Sequence, residues 1–448
     1  MRAFTLVWFG QVVSLLGTGM TQFAITIWAW EITGQATALA LVGFFAFGPV
    51  VLFSPIAGAL VDRWNRKLVM MLSDLAAGLA TIAILILHTN GSLQIWHLYV
   101  AGAFTGVFQS FQFPAYSAAI TTMIPKAHYT RASAMLGLAD SLSTIFAPIM
   151  AGALLGVIHL TGILLIDIIT FVFAVGTLLI VHIPQPETTA AGLEGKGNLL
   201  QESAYGFRYI FRRPSLLGLQ LVFFFGNLLA SLAFVLLAPM ILARTGNDEL
   251  LLGSVQSALG IGGVVGGLFL TVWGGPKRRV YGLLGGWVLG SLLGQVVLGL
   301  GQNFMVWAVG GFFASFFIPL INGSNQAIWQ AKVAPDVQGR VFAVRRLIAQ
   351  ITAPVAMLIA GPLADLVFEP GMLEGGTLAR TFGGIVGTGP GAGMALIFVL
   401  AGVGTMLVGV VGYFVPVVRN AELILPDHDA QSTASMPVNV EVIPVVES

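Results

Sequence analysis

Long apolar runs alternate along the chain with short polar breaks. Their cores fall at 4–30, 37–61, 68–87, 97–124, 132–158, 162–182, 215–243, 250–273, 280–300, 304–331, 341–368 and 391–418. Each is long enough to cross a hydrocarbon core of ~30 Å as a helix. They are too long, and too continuously apolar, for the alternating strands of a barrel, and an open sheet edge cannot be satisfied in lipid. The pattern therefore predicts an all-α integral membrane protein with twelve transmembrane helices. A polar stretch, 183–214, separates the sixth run from the seventh; it is rich in Gly, Gln, Glu and Thr and ends in an amphipathic segment, 199–213. It divides the chain into two six-helix halves, 1–182 and 215–419. Residues 420–448 form an acidic tail with little apolar periodicity, which is expected to be disordered.

Composition agrees with this reading. The chain is 57% hydrophobic and 9% charged, against about 25% charged residues in soluble proteins, so a soluble globular protein is excluded. With no cysteine there are no disulfides, thiolate metal sites or cysteine nucleophiles. The histidines show no metal-ligand spacing, so no metal is expected. No Walker A motif is present, which argues against direct use of ATP. The N-terminal run through Trp30 is too long for a signal-peptide core and is expected to stay as the first span. Charge placement fixes an orientation. If the N-terminus is cytoplasmic, every one of the 20 Lys and Arg residues except Arg244 and Arg380 lies on the cytoplasmic side. Clustered cations stay inside, so both termini and the linker are expected in the cytoplasm.

The most informative loop is Gly58-Ala-Leu-Val-Asp62-Arg63-Trp-Asn65-Arg66-Lys67, pinched between the second and third runs. The halves also echo one another: Ser110-Phe-Gln-Phe-Pro114 recurs as Ser315-Phe-Phe-Ile-Pro319. Likewise Pro125…Arg131 recurs as Pro335…Arg340, and repeated halves are how many secondary transporters are built. The loop resembles the signature Gly-x-x-x-Asp-Arg-x-Gly-Arg-Lys of the major facilitator superfamily, matching at Gly58, Asp62, Arg63, Arg66 and Lys67. It departs at Asn65, the non-glycine residue that best tolerates a left-handed turn. The resemblance implies two pseudo-symmetric bundles and alternating access, with this loop as a conformational latch against the eleventh helix.

Further segments narrow the resemblance: Trp8-Phe-Gly-Gln11, Trp273-Gly-Gly-Pro-Lys-Arg-Arg279, Pro335-Asp-Val-Gln-Gly-Arg340 and Gly361-Pro-Leu-Ala-Asp365. They are similar to the drug:proton antiporter branch that includes macrolide-efflux and enterobactin-exporter proteins of bacteria. In the fifth run, Ala134, Ser143, Ala147, Pro148, Ala151 and Gly152 fall on the spacing of the family's antiporter motif, although only Pro148 and Gly152 match outright. The resemblance implies proton-coupled efflux of an apolar or amphipathic small molecule, such as a macrolide-like drug. A siderophore or a lysolipid is the alternative cargo, and a non-transporting sensor the alternative function. It implies no enzymatic activity and no cofactor, the proton gradient being the energy source. The expected partners are membrane lipid, a small-molecule substrate and protons, with no nucleic acid. A monomer in the bacterial cytoplasmic membrane is expected.

By the same resemblance, spans 1, 4, 7 and 10 line a central cavity. Span 1 carries Gln11, Ser14, Thr18 and Thr21 on one helical face, and span 4 carries Thr105, Gln109, Gln112 and Tyr116 in phase. Span 7 offers Asn227 and Ser231, and span 10 offers Asn322, Asn325 and Gln326. Each of these also fits an interhelical hydrogen bond that ties the bundle together. No Lys or Arg lies deep in these spans, so the substrate is expected to be neutral or cationic. Intramembrane carboxylates are costly and usually functional. Asp140, nine residues beyond Arg131 and so ~13 Å along its helix, is the leading candidate for proton coupling. Asp74 is expected to serve the charged hairpin and Asp167 to be structural, with both as second choices for coupling.

The charge asymmetry yields a direct test of topology. A reporter fused after Gly192 is expected to face the cytoplasm, and one inserted near Gly375 the exterior. Cleavage of the first by protease added to right-side-out vesicles would overturn this orientation.

Overall fold

The computed structural model describes residues 2–61, 64–125, 128–181 and 199–425. Among the described residues there is helix and no strand. Ten helices are long and apolar enough to cross a membrane. One of these lies in the 52-residue stretch Tyr129–Ile180, where His159 (φ 55, ψ −180) breaks the helix into two spans, 129–158 and 160–180. The fourth span, Ile95–Met123, has ample length at 29 residues; Gln109, Gln112 and their polar neighbours make it less apolar than the rest. This arrangement is consistent with the expected twelve helices. The remaining spans are Arg2–Thr33, Ala36–Val61, Arg66–Thr89, Pro214–Thr245, Glu249–Trp273, Arg279–Leu300, Phe304–Lys332, Val337–Met372 and Ala392–Phe414.

Prolines sit inside several spans, among them Pro49, Pro55, Pro114, Pro148 and Pro362. Neighbouring helices make such breaks tolerable in a membrane. Two π-helical turns, Ser291–Val296 and Ala364–Phe368, interrupt the ninth and eleventh spans.

Two bundles result. In the first, span 1 packs along the helix that carries spans 5 and 6, and span 4 lies against spans 2 and 3. The second bundle joins spans 7 to 12. The bundles meet along two seams, span 5 against span 8 and span 2 against span 11. The hydrogen bonds across the seams cluster in the half of the molecule remote from the linker. Trp30 Nε1 donates to Asn247 Oδ1 (2.9 Å) and Ser257 Oγ donates to the Ile145 carbonyl (2.5 Å). The Asp365 carboxylate accepts from the backbone of Ala36 and Thr37. Small residues let the backbones approach. A Cβ on Gly152 would lie 2.7 Å from the Glu249 carbonyl oxygen, and Gly253 lies against the carbonyl of Pro148. Pro148 and Gly152 of the small-residue pattern thus form the seam. In the same stretch Ser143 Oγ donates to Leu15 O (2.9 Å) and Ala147 packs on Gly19.

At the other end, the amphipathic helix Leu199–Phe211 packs on the start of span 11, with Arg340 over the ring of Tyr205. The tail begins later than residue 420. Lys332 Nζ donates to the carbonyls of Glu422 and Leu425, and the Glu422 carboxylate accepts from the Val280 amide, so 421–425 are docked. Half of the linker, 183–198, with residue 182 before it, and the tail from 426 lie outside the described residues.

The seam predicts a contrast between two glycines of one helix. Gly253→Leu places a side chain against the Pro148 carbonyl and should cost about 1–3 kcal/mol through overpacking. Gly263, whose added Cβ would have only Ser315 Cβ nearby, at 4.0 Å, should accept Leu with little change. Thermal unfolding in detergent measures both, and equal losses would show that the seam is not tightly packed.

Candidate functional site

A cavity of about 410 Å³ lies in the interior. Spans 1, 2, 3, 4 and 6 of the first bundle build most of its wall. The second bundle contributes Val235 and Ala238 from span 7, Gln256 from span 8 and Met357 from span 11. Span 1 presents Gln11, Ser14, Thr18 and Thr21 to it, and span 4 presents Thr105, Gln109 and Gln112, so the two in-phase stripes read from sequence do face one space.

Two carboxylates line the same cavity, 6% and 4% exposed, from Asp74 on span 3 and Asp167 on span 6. Asp74 is held by amides: Gln11 Nε2 donates to Oδ2 (3.1 Å) and Gln112 Nε2 to Oδ1 (2.5 Å). Asp167 is held by hydroxyls: Thr18 Oγ1 donates to Oδ1 (3.1 Å) and Thr81 Oγ1 to Oδ2 (3.0 Å). The Thr21 hydroxyl also faces Asp167 but completes no hydrogen bond of ordinary geometry. Among the described residues no cation pairs with either acid.

The two settings differ chemically. A glutamine NH₂ only donates, so it suits a carboxylate, and the amide must turn over to offer its oxygen when that carboxyl is protonated. A threonine hydroxyl donates to a carboxylate or accepts from a carboxylic acid. Asp167 can therefore change protonation state without losing its neighbours.

Other expected site residues lie elsewhere. Asp140 is exposed and does not line the cavity. The helix leaves that side chain exposed while the neighbouring Ala139 is buried. Asp74 serves the cavity rather than the charged hairpin, and Asp167 is part of the same wall. Tyr116 packs with Phe4, Val7 and their neighbours below the cavity, and its hydroxyl is buried without a partner. Asn227 Nδ2 bonds the Phe223 carbonyl of its own helix (2.7 Å), and Gln326 accepts from Arg345 Nη1 (2.8 Å). Asn322 is exposed, and Ser231 is outside the cavity wall. The cavity is thus lopsided toward the first bundle. Thr81 is the residue that sequence reading missed. It stands seven residues after Asp74, two turns on along the same face, and that spacing was the available signal.

Of the signature loop, Asp62 and Arg63 lie outside the described residues, and Gly58 lies in the last turn of span 2. Asn65 is extended (φ −66, ψ 111), not left-handed as expected, because it caps span 3 by accepting from the Leu68 amide. Arg66 opens that span, and Lys67 Nζ donates to the carbonyls of Leu179 (3.1 Å) and Val181 (2.8 Å) within its own bundle.

A family model described as Major Facilitator Superfamily matches residues 7–357. This chain belongs to the major facilitator superfamily. It is a multi-pass membrane transporter of a small-molecule substrate, not an enzyme. The transporter is 27% identical over 369 residues to macrolide efflux protein A of Streptococcus pyogenes, covering 81% of this chain and 90% of that one. It is 25% identical over 440 residues to the multidrug efflux pump Tap of Mycolicibacterium fortuitum, covering 93% and 97%. It is 23% identical over 270 residues to the enterobactin exporter EntS of Escherichia coli, covering 59% and 62%. Among solved structures, a bacterial homologue of the human lysosomal transporter Spinster, in an inward-facing and unoccupied conformation, superposes with a TM-score of 0.65. That match has 15% identity and covers 94% of this chain and 98% of the other, and it speaks for the fold alone.

Proposed function

We propose that this transporter is a proton-coupled exporter of apolar or amphipathic small molecules, macrolide-like drugs among them. It works by alternating access in a bacterial cytoplasmic membrane, with linker and termini in the cytoplasm. The observation that carries the reading is a cavity in which two buried carboxylates have amide and hydroxyl partners and, among the described residues, no cation. Its volume falls in the range of about 300–1,000 Å³ typical of small-molecule sites. The names of the relatives, a macrolide efflux protein, a multidrug efflux pump and an enterobactin exporter, support the direction of transport.

The coupling follows from electrostatics. A bare carboxylate at this depth is costly, so the cavity favours a state in which something neutralises it. A proton does so, and a cargo with a positive end does so in its place. Competition between the two makes inward proton movement and outward cargo movement exclusive alternatives. Given a cytoplasmic linker, the arrangement described here is closed toward the exterior by the two seams, and it is the state that loads cargo from inside. Asp167, with its reversible hydroxyl partners, is the proton carrier, and Asp74 is the second acid. The protein acts as a monomer, needs no cofactor, and takes its energy from the proton gradient.

Everted vesicles loaded by a proton gradient test this with a panel of macrolides, cationic dyes and siderophores. Asp167→Asn should still exchange cargo across the membrane but lose uphill transport about a hundredfold or more, roughly the lower end of what a single proton-transfer group contributes. Asp140→Asn should pump like the parent. The reverse pattern would remove Asp167 from the coupling role.

A further inference from the structure

Span 2 begins abruptly. Gly34 (φ +59) turns the chain after span 1, and Gln35 occupies the position before Ala36, the first helical residue. Helices normally place Ser, Thr, Asp or Asn there, so that a side-chain oxygen accepts one of the free amides of the first turn. Gln35 is exposed, and no side chain of its own bundle takes that role. The acceptor comes from the other bundle. Asp365 Oδ1 accepts from the Ala36 amide (3.0 Å), and Oδ2 accepts from the Thr37 amide (2.8 Å) and the Thr37 hydroxyl (2.5 Å).

Two features of span 11 put the carboxylate there. Asp365 lies in the π-helical turn Ala364–Phe368, and such turns re-aim side chains and recur at functional sites. One turn earlier, Gly361 allows span 11 to touch the backbone of span 2; a Cβ there would lie 2.5 Å from Thr37 Cα. The carboxylate also meets the positive end of the span 2 dipole. This contact lies at the far end of the molecule from the signature loop, on the same pair of helices.

We propose that Asp365 is a gating residue. Its carboxylate caps span 2 only while the ends of the bundles remote from the linker are together, so the first turn of span 2 is satisfied in one state and left bare in the other. The cap is a latch because the amides it serves have no other acceptor in their own bundle. Opening that end exchanges a charge-assisted cap for water. Spans 2 and 11 are thereby tied at this end by Asp365, while the loop after span 2 lies at the other end of the same seam.

The absence of cysteine from the parent makes the test clean. Spin labels on Ser92→Cys and Glu374→Cys report the remote end, and labels on Arg131→Cys and Gly339→Cys report the linker end. In Asp365→Ala the remote pair should lengthen and the linker pair shorten. The ratio of remote-open to remote-closed molecules should rise about fivefold or more, the factor equal to ~1 kcal/mol for one helix cap. A cap that merely holds span 2 together would behave otherwise, and Gln35→Asp separates the cases by giving span 2 its own cap. In Asp365→Ala with Gln35→Asp the shift toward the remote-open state should persist. Parent-like distances in Asp365→Ala, or their full restoration by Gln35→Asp, would overturn the latch. Asp365→Asn, which keeps one acceptor oxygen, should fall between parent and Ala and serves if the Ala variant does not fold. The inference assumes the alternating bundles of the proposed function, but it is read as a distance. A failed latch with intact efflux, or lost efflux with a working latch, therefore tells the two apart.

Discussion

A backbone polar group in hydrocarbon must find a partner inside the protein, and the architecture of this transporter answers to that demand, while a few buried side chains such as Tyr116 and Gln220 go without. The backbone meets it by being helical throughout the spans. Where a helix starts, bends or ends, an acceptor or donor is brought in from nearby. Asn65 and Asp248 cap spans 3 and 8 from the adjacent position, and Asp365 caps span 2 from the other bundle. Arg244, near the end of span 7, spends its guanidinium on the carbonyls of Gly301 and Val386. Lys67 does the same for Leu179 and Val181. These cations serve carbonyls, and among the described residues none lies against the acids of the cavity.

The acids of the cavity are where the same demand becomes chemistry. Asp74 and Asp167 are satisfied by neutral donors, which meets the hydrogen-bonding need and leaves the charge itself uncompensated. A cationic partner would have fixed each as a permanent ion pair. Amide and hydroxyl partners instead leave the charge open to a proton or to a cargo. Partner chemistry also divides the two, since the hydroxyls around Asp167 can reverse the sense of their hydrogen bonds in place, whereas the glutamines around Asp74 must turn their amides over to do so.

The seams add a second condition, close approach. Gly152, Gly253 and Gly361 bring backbone onto backbone between the bundles, with the strongest hydrogen bonding confined to one end. Glycine contacts are bought with little side-chain entropy and are lost over a small displacement, which suits surfaces that must part and rejoin. A seam held by interlocked large side chains would resist both.

The sequence determined the fold almost completely. Twelve apolar runs, a polar linker and the repeated motifs suffice because lipid permits few architectures for such segments. It also determined the polar stripes of spans 1 and 4, since residues three and four apart must share a helical face. Tertiary structure decided what those stripes face. Periodicity gives relative phase within a helix, but the rotation of that helix against its neighbours is set by packing. Depth along a helix therefore does not tell Asp140, which is exposed, from Asp74, which is buried between Gln11 and Gln112. For the same reason Asn227 and Gln326 bond elsewhere, and Asn322 is exposed, off the cavity wall. The grouping of Asp167 with Thr18 and Thr81, and the capping of span 2 by Asp365, join residues far apart in the chain. No local pattern encodes such pairs, because they exist only once the helices have been docked.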